Sequence, residues 1–137
     1  MSLLLEIVTP EKVVFSDKAD SVVLPTTEGD VGVLSGHIPL LTTLAPGELQ
    51  VITEGRTEYL TVDKGFAQVL GDKVSVLTEG AIDVKEIDLS AVEDAQLRAE
   101  KALAEAAEEK MDPAEIEQLE TIVRFSLAQK LAKEKRR

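Results

Sequence analysis

Residues 66–78 read FAQVLGDKVSVLT and decide the fold of the first part of the chain. Two short apolar runs lie on either side of Gly71-Asp72, a pair that suits a tight turn because glycine tolerates a positive φ. In the second run Val74 and Val76 fall on one face and the intervening residues on the other, which is the period of a β-strand. The segment therefore predicts a β-hairpin.

Further strands of the same kind precede this hairpin. Apolar or β-branched runs occur at residues 3–8, 19–24, 48–52 and 57–62, and Glu54-Gly55-Arg56 separates the last two as a hairpin turn. No helical pattern alternates with these strands, which disfavours a doubly wound fold. Several short strands separated by turn residues predict an all-β sandwich.

The chain changes character near Asp88, since no glycine follows it and Pro113 is the only later proline. Ser90 and Glu93 form a capping-box pattern, so we expect a first helix to begin there and to run to about residue 110. Asp112 suits the N-cap of a second helix, because proline is well tolerated at the position that follows.

Apolar residues recur in the second helix at spacings of three and four, which predicts one clean apolar stripe of the kind that faces a core. These residues are Ile116, Leu119, Val123, Leu127 and Leu131. A break this short between two helices predicts an antiparallel hairpin. The predicted fold is therefore an all-β sandwich followed by an α-helical antiparallel hairpin, with two small domains at residues 1–86 and 87–137. Because alanine buries little apolar area, we expect the alanine-rich first helix to hold the hairpin on the sandwich only weakly.

Composition argues against several classes of function. The 137 residues carry a formal net charge of -11, which repels nucleic acid and anionic membranes, and 3% aromatic residues offer little surface for stacking bases. There is no cysteine, and the single histidine, His37, cannot build a zinc site alone, so no metal is expected. The N-terminus lacks the basic region of a signal peptide, and no run approaches the roughly 18 apolar residues of a membrane span.

The region around His37 gives no sign of catalysis. Ser35 lies two residues before it without a positioned third group, and a catalytic triad is defined by geometry rather than by spacing. Gly29, Gly32 and Gly36 lack the Gly-Lys-Ser/Thr ending of a phosphate-binding loop, and we interpret them as turn positions. Two alternative functions stay open at this point: a stand-alone protein-binding module, and a small hydrolase that uses His37.

A resemblance to a known family extends over the whole chain. The matching segments are VTPEK at 8–12, FS at 15–16, VLP at 23–25, EGDVGVLSGHIPL at 28–40, PG at 46–47, GFA at 65–67 and VSVL at 74–77. Together with the helical hairpin that follows, they resemble the epsilon subunit of F-type ATP synthase. The run GVLSGHIP at residues 32–39 is the most specific part of the resemblance.

This resemblance implies a non-catalytic subunit that couples the central stalk to the c-ring during proton-driven ATP synthesis. It implies that the sandwich binds the gamma subunit and the c-ring. Asp30 matches a carboxylate position that faces the c-ring, and His37 matches a position in the contact region of gamma and the c-ring. It also implies a place on the cytoplasmic face of a bacterial plasma membrane, with a thylakoid setting left open, and membrane association only through the complex.

The resemblance further implies a regulatory hairpin. In this family the two helices either fold on the sandwich or extend along gamma into the catalytic head, where they reach the alpha and beta subunits and inhibit ATP hydrolysis. Arg124, Lys130 and Lys133 would meet an acidic segment of the beta subunit, with the basic tail Lys135, Arg136 and Arg137 beyond them.

Some members of the family bind ATP between the two helices, and this chain keeps part of their motif. Ile87 and Asp88 match its opening, and Arg98 matches a later arginine. Ala91 stands where another arginine is expected, and Arg124 is the only clear candidate in the second helix. A phosphate site without its cationic fork loses charge-assisted hydrogen bonds worth about 1.5–3 kcal/mol each. We therefore predict weak or absent ATP binding and no cofactor.

Overall fold

The computed structural model describes residues 2–109 and 112–135. The chain forms two compact units, one that ends at Asp83 and one that begins at Val84. The first unit consists of β-strands and the second of helices. The domain boundary expected from the sequence lies close by, between residues 86 and 87.

The first unit is a single sheet with ten strands among the described residues. The strands are β1 (Leu3–Val8), β2 (Val13–Ala19), β3 (Ser21–Thr26), β4 (Gly29–Leu34), β5 (Leu40–Leu44), β6 (Gly47–Thr53), β7 (Arg56–Val62), β8 (Gly65–Leu70), β9 (Lys73–Thr78) and β10 (Ala81–Asp83). Their order is β10-β7-β6-β3-β5-β8-β9-β1-β2, with β4 paired to β3. Strands β1 and β9 run parallel, and the other pairs are antiparallel.

The core of this unit follows from alternation along the strands. Leu3, Leu5 and Ile7 of β1 are fully buried, whereas Leu4 between them is exposed. The inward side chains of all the long strands join them in one cluster, dominated by leucine and valine. Such residues suit strands because branched and aliphatic side chains pack well on a pleated surface. The all-β sandwich predicted from the sequence is confirmed.

The hairpin predicted at residues 66–78 is present. Leu70 pairs with Lys73 across a two-residue turn, and Gly71 in that turn has a φ of 62°. Residues with a side chain rarely adopt this left-handed backbone conformation, so glycine is the favoured residue here.

Strand β4 is where the interpretation of the glycines as turn positions was wrong. Gly32 lies inside the strand and pairs with Val23. A Cβ added at Gly32 would meet no atom within 4 Å, so no other residue packs against this position. Glycine weakens a strand because of its conformational entropy, but an open strand position can accept it. Gly36 does form a turn, with a φ of 84°.

The second unit holds a short 3₁₀ turn at Val84–Glu86 and two helices, α1 (Leu89–Glu109) and α2 (Pro113–Lys135). The predicted antiparallel arrangement is confirmed. The end of α2 meets the start of the unit, since Lys133 Nζ donates to the Val84 carbonyl at 3.3 Å. Nearer the turn, Leu119 and Ile122 of α2 lie beside Ala95 and Ala99 of α1. Neither described helix is long and apolar enough to cross a membrane.

The N-cap of α1 is Asp88, so the predicted cap at Ser90 was wrong. The Asp88 carboxylate Oδ1 accepts from the backbone N–H groups of Ser90 at 3.0 Å and Ala91 at 3.4 Å. The Asp88 carbonyl accepts the first helical bond, from the Val92 N–H at 3.0 Å. An acidic cap satisfies orphan donors and complements the positive end of the helix dipole, which favours Asp88 over the neutral hydroxyl two residues later.

The N-cap of α2 agrees with the prediction. Asp112 Oδ1 accepts from the Ala114 N–H at 2.9 Å, and its carbonyl accepts from Glu115 and Ile116. Pro113 occupies the first helical position, where its missing N–H costs nothing.

The apolar stripe predicted on α2 was wrong in its C-terminal half. Leu127 is 45% exposed and Leu131 is 68% exposed, while Ser126 and Ala132 are buried. Buried positions of α1 also hold small residues, such as Ala99. Small side chains at a helix contact reduce the distance between helix axes and leave no deep space for leucine. Large apolar residues of α2 therefore remain on the surface.

Candidate protein-docking surface

One side of the sheet in the first unit presents large apolar side chains outward. The cross-strand register sets Thr43, Phe66, Leu77 and Val8 in one row over β5, β8, β9 and β1. A neighbouring row contains Leu41, Gln68, Ser75 and Glu6, and the next contains Leu70, Lys73 and Leu4. We call these eleven side chains the outer face.

The outer face is exposed although it is largely apolar. Leu41 is 72% exposed, Leu70 61%, Leu77 57% and Phe66 56%. Their strand neighbours on the opposite side of the sheet, such as Val76, are buried in the core. Strands β8 and β9 thus carry large apolar side chains, Phe66, Leu70 and Leu77, on the side of the sheet that is not covered. Several large apolar side chains exposed on one side of a sheet mark an interaction surface, because leaving them in water is unfavourable.

A groove of about 700 Å³ opens at one end of the outer face. Phe66 and Leu77 line it, together with Pro10 from the turn after β1. At its rim the Lys64 ammonium and the Glu79 carboxylate lie 4.0 Å apart. An apolar groove with a charged rim fits an apolar side chain or helix face of a partner protein better than a small polar ligand.

The loop that carries His37 lies at the other end of the outer face, before β5. The His37 N–H donates to the Leu34 carbonyl at 3.0 Å and closes a turn. The His37 ring nitrogen Nδ1 lies 2.6 Å from the Ile38 carbonyl oxygen. Leu34 and Ile38, on either side of this turn, are exposed large apolar residues.

Ser35 and His37 are directed to different partners. Ser35 Oγ donates to the Asp72 carboxylate at 2.8 Å, whereas His37 contacts a backbone carbonyl. A serine nucleophile needs its base within hydrogen-bond reach. The geometry therefore gives the hydrolase hypothesis no support. Among the described residues, no group of three or more His, Asp or Glu side chains could hold a metal ion.

Asp30 lies at the opposite end of β4 from the His37 loop. It is exposed, follows the β3–β4 turn and pairs with Pro25. Asp30 and Leu34 are four positions apart along β4, a distance of roughly 13 Å at the usual rise per residue. The structure thus does not bring Asp30 and His37 together, and each belongs to a different end of the unit.

The cationic residues predicted to form an inhibitory contact lie along α2. Arg124 Nη2 donates to Thr121 Oγ1 at 3.2 Å, and Lys133 Nζ donates to the Val84 carbonyl. Lys130 is half-buried and Lys135 is exposed. Arg136 and Arg137 lie outside the described residues.

Comparisons with known proteins agree with this architecture. Residues 2–84 match the family model described as ATP synthase, Delta/Epsilon chain, beta-sandwich domain. The ATP synthase epsilon chain of Herpetosiphon aurantiacus is 40% identical over 129 residues, which cover 93% of this chain and 95% of the relative. The epsilon chain of Nitratidesulfovibrio vulgaris strain DP4 is 46% identical over 113 residues, which cover 82% of this chain and 84% of the relative.

The chain belongs to the ATP synthase epsilon family.

Solved structures extend the likeness to the epsilon fold in assembled enzymes. A chain of the Euglena gracilis mitochondrial ATP synthase, solved with OSCP, F1 and the c-ring, matches with a TM-score of 0.70 and 25% identity, over 96% of this chain and 81% of that one. A chain of the Tetrahymena thermophila central stalk and c-ring matches with a TM-score of 0.52, over 63% of this chain and 69% of that one. At 17% identity, the second likeness shows the fold alone.

The ATP-binding motif of some epsilon subunits is only partly represented here. Ile87 is buried, and the Asp88 carboxylate caps α1. Arg98 pairs with Asp94 at 2.9 Å, one helical turn away. Arg98 also borders a cleft of about 310 Å³ between the two helices, lined otherwise by apolar side chains. The cleft therefore offers one arginine, already paired, and no cationic fork among its lining residues.

Sequence reasoning named Asp30 and His37 but missed the outer face. A signal for it was present, because residues 66–70 have apolar side chains at both odd and even positions, with Gln68 as the exception. A half-buried strand alternates between apolar and polar residues, so a strand apolar on both sides is either covered twice or docks a partner.

Proposed function

We propose that the chain acts as a non-catalytic coupling subunit that joins the gamma subunit of the central stalk to the c-ring. The outer face is the observation that carries this proposal, because it is an exposed apolar surface in a chain with a net charge of -11. A surface of this kind needs a protein partner to cover it.

The gamma subunit is the proposed partner of the outer face. The groove between Phe66 and Leu77 would receive apolar side chains of gamma, and the apolar turn at Leu34 and Ile38 would lengthen the contact. An extended apolar surface resists sliding, since moving it would expose apolar area to water. This property suits an element that transmits torque.

The c-ring is the proposed partner of the Asp30 end. Asp30 presents an exposed carboxylate beside a tight turn, which suits a polar contact with loop N–H groups or a cation. His37 lies beyond the other end of β4, roughly 13 Å or more away. Two separate ends would allow one rigid sheet to connect two partners.

The helical unit is proposed to inhibit ATP hydrolysis by contacting the alpha and beta subunits. Leu127 and Leu131 are exposed on α2 and would gain burial in such a contact. Lys130 and Arg124 supply positive charge for an acidic surface. Lys133 would exchange its bond to the Val84 carbonyl for a carboxylate of the beta subunit. Membrane association would then occur only through the complex, at the cytoplasmic face of a bacterial plasma membrane.

ATP binding by the isolated chain is proposed to be weak or absent. The reason is the incomplete set of arginines around the cleft between the helices, where Arg98 is already paired with Asp94. Calorimetry on the isolated full-length chain tests this, and a dissociation constant of about 1 mM or tighter would contradict it.

Binding to gamma tests the proposed function directly. Leu41→Glu and Phe66→Glu place a charge in the outer face, and each should weaken binding of the full-length chain to its gamma subunit at least about tenfold. The measurement is a titration by calorimetry or biolayer interferometry. A stand-alone binding module would not bind gamma at all.

Leu131→Glu is the matched control for these variants. Leu131 is exposed to nearly the same extent as Leu41 but lies on α2. It should leave gamma binding by the isolated chain unchanged. Equal losses for all three variants would indicate a general effect of charge and would remove the outer face as the docking site.

A further inference from the structure

Asp72 joins three segments that are distant in sequence. Its carboxylate oxygen Oδ1 accepts from Ser35 Oγ at 2.8 Å and from the Gly36 N–H at 3.3 Å. Its backbone carbonyl accepts from the Leu4 N–H at 2.7 Å. One residue of the β8–β9 turn thus connects that turn to β1 and to the loop between β4 and β5.

The loop that receives these bonds has few other restraints. Its internal restraints are the turn bond from the His37 N–H to the Leu34 carbonyl and the 2.6 Å contact of His37 Nδ1 with the Ile38 carbonyl oxygen, with Gly36 at a positive φ. Leu34 and Ile38 are exposed and so provide little packing to hold the backbone. An ordered loop with exposed apolar side chains needs polar anchors, because hydrophobic burial does not offset the entropy lost on ordering it.

The hydrogen bonds that the Asp72 carboxylate accepts are suited to anchoring this loop. Hydrogen bonds to an ionised acceptor are about twice as strong as neutral ones. They reach the loop at two successive residues, which fixes both its position and its orientation relative to β8 and β9. Those two strands carry the centre of the outer face.

We propose that Asp72 is a positioning residue for docking: its carboxylate holds the turn at residues 34–38 so that Leu34 and Ile38 extend the outer face. The inference rests on the proposed function, in which the outer face binds gamma. Docking onto a turn that is already ordered avoids the entropy cost of ordering it on binding. Asp72 need not touch the partner to affect its affinity.

Asp72→Ala in the full-length chain tests the proposal. It should weaken gamma binding by about tenfold, because the turn must then be ordered on docking. Hydrogen exchange of the backbone amides at residues 35–38 should become faster, while amides in the centre of β8 and β9 keep their protection. Asp72→Asn keeps an oxygen acceptor and should restore binding to within about threefold of the wild type.

Asp20→Ala is the matched control. Asp20 Oδ2 accepts from the Glu54 N–H at 2.7 Å, so it also fastens a distant turn through a carboxylate, but that turn lies between β6 and β7. The variant should loosen its own turn and leave gamma affinity unchanged. A similar loss for Asp20→Ala and Asp72→Ala would indicate general destabilisation and overturn the proposal.

The remaining outcomes are distinct. Faster exchange at residues 35–38 with unchanged gamma affinity would overturn the positioning role. If Asp72→Ala does not fold, Ser35→Ala removes one of the same bonds from the loop side and must still lower the affinity, by a smaller factor. If the wild-type chain itself does not bind gamma, the proposed function fails, which is separable from equal binding by wild type and variants.

Discussion

Gly65 shows how one position controls how closely two strands approach. It begins β8, lines the groove and pairs with Thr78 of β9. A Cβ at Gly65 would collide with the Leu77 carbonyl oxygen and lie 2.8 Å from the Thr78 Cα. These neighbours are backbone atoms, so they cannot move aside without separating the two strands.

Gly65→Ala should therefore destabilise the chain by about 1–3 kcal/mol, the usual cost of overpacking. The measurement is urea unfolding followed by circular dichroism. Gly32→Ala is the control, because it also adds a methyl group to a strand but meets no atom within 4 Å. It should stay within about 0.5 kcal/mol of the wild type. Equal unfolding midpoints for the two variants would contradict the close approach at Gly65.

At the scale of elements, hydrophobic period and turn chemistry were sufficient to predict the strands with clear alternation and both helices. These two signals gave wrong predictions where one residue type suits two kinds of position. Gly32 was interpreted as a turn residue because glycine is common in turns, yet it lies in β4. Asp88 and Ser90 are both good caps, and the choice between them depends on where the chain leaves the preceding 3₁₀ turn.

The prediction of an apolar stripe on α2 was wrong for a different reason. Periodicity identifies apolar residues that share a face, but it does not reveal what the face meets. Leu131 fits the period and is exposed, whereas the adjacent Ala132 is buried. Likewise Asp30 and His37 lie seven positions apart in sequence, but only the pairing of β3 with β4 reveals that they belong to opposite ends.

The pair Leu131 and Ala132 gives a test at this scale. Ala132→Leu should destabilise the chain by about 1–3 kcal/mol, because a buried position sized for a methyl group must accept a larger side chain. Leu131→Ala removes a larger side chain, but from an exposed position. Apart from the change in helix propensity, it should lower the free energy of unfolding by less than about 0.5 kcal/mol. Thermal unfolding by circular dichroism compares them, and a larger loss for Leu131→Ala would support the original stripe.

At the scale of the whole molecule, the two compact units suggest a division of work between docking and regulation. A chain truncated after residue 87 keeps every strand and the whole outer face. Within the assembled ATP synthase it should bind gamma with an affinity within about twofold of the full chain, since distant sites act independently. The ATP hydrolysis rate of the complex should rise, because the proposed inhibitory helices are gone.

Two assays follow the truncated chain: co-purification with gamma, and steady-state ATP hydrolysis by the complex. Failure to co-purify would contradict the assignment of docking to the first unit. An unchanged hydrolysis rate, with normal assembly, would contradict the inhibitory role of the helices and leave the docking assignment intact.

The parallel pairing of β1 with β9 has a consequence for how the protein is made. Leu4 pairs with Lys73 and Val8 with Leu77, so β1, the first strand of the sheet in sequence, has its parallel neighbour among the last strands of the sheet. Contacts this distant in sequence form slowly, because a long loop must close first. Until β9 has been synthesised, β2 is the only one of its two neighbours with which β1 can pair, and the apolar residues of β1 lack their partners on β9. Until nearly the whole sheet has been translated, one edge of β1 is therefore unpaired, which is the kind of edge that promotes aggregation.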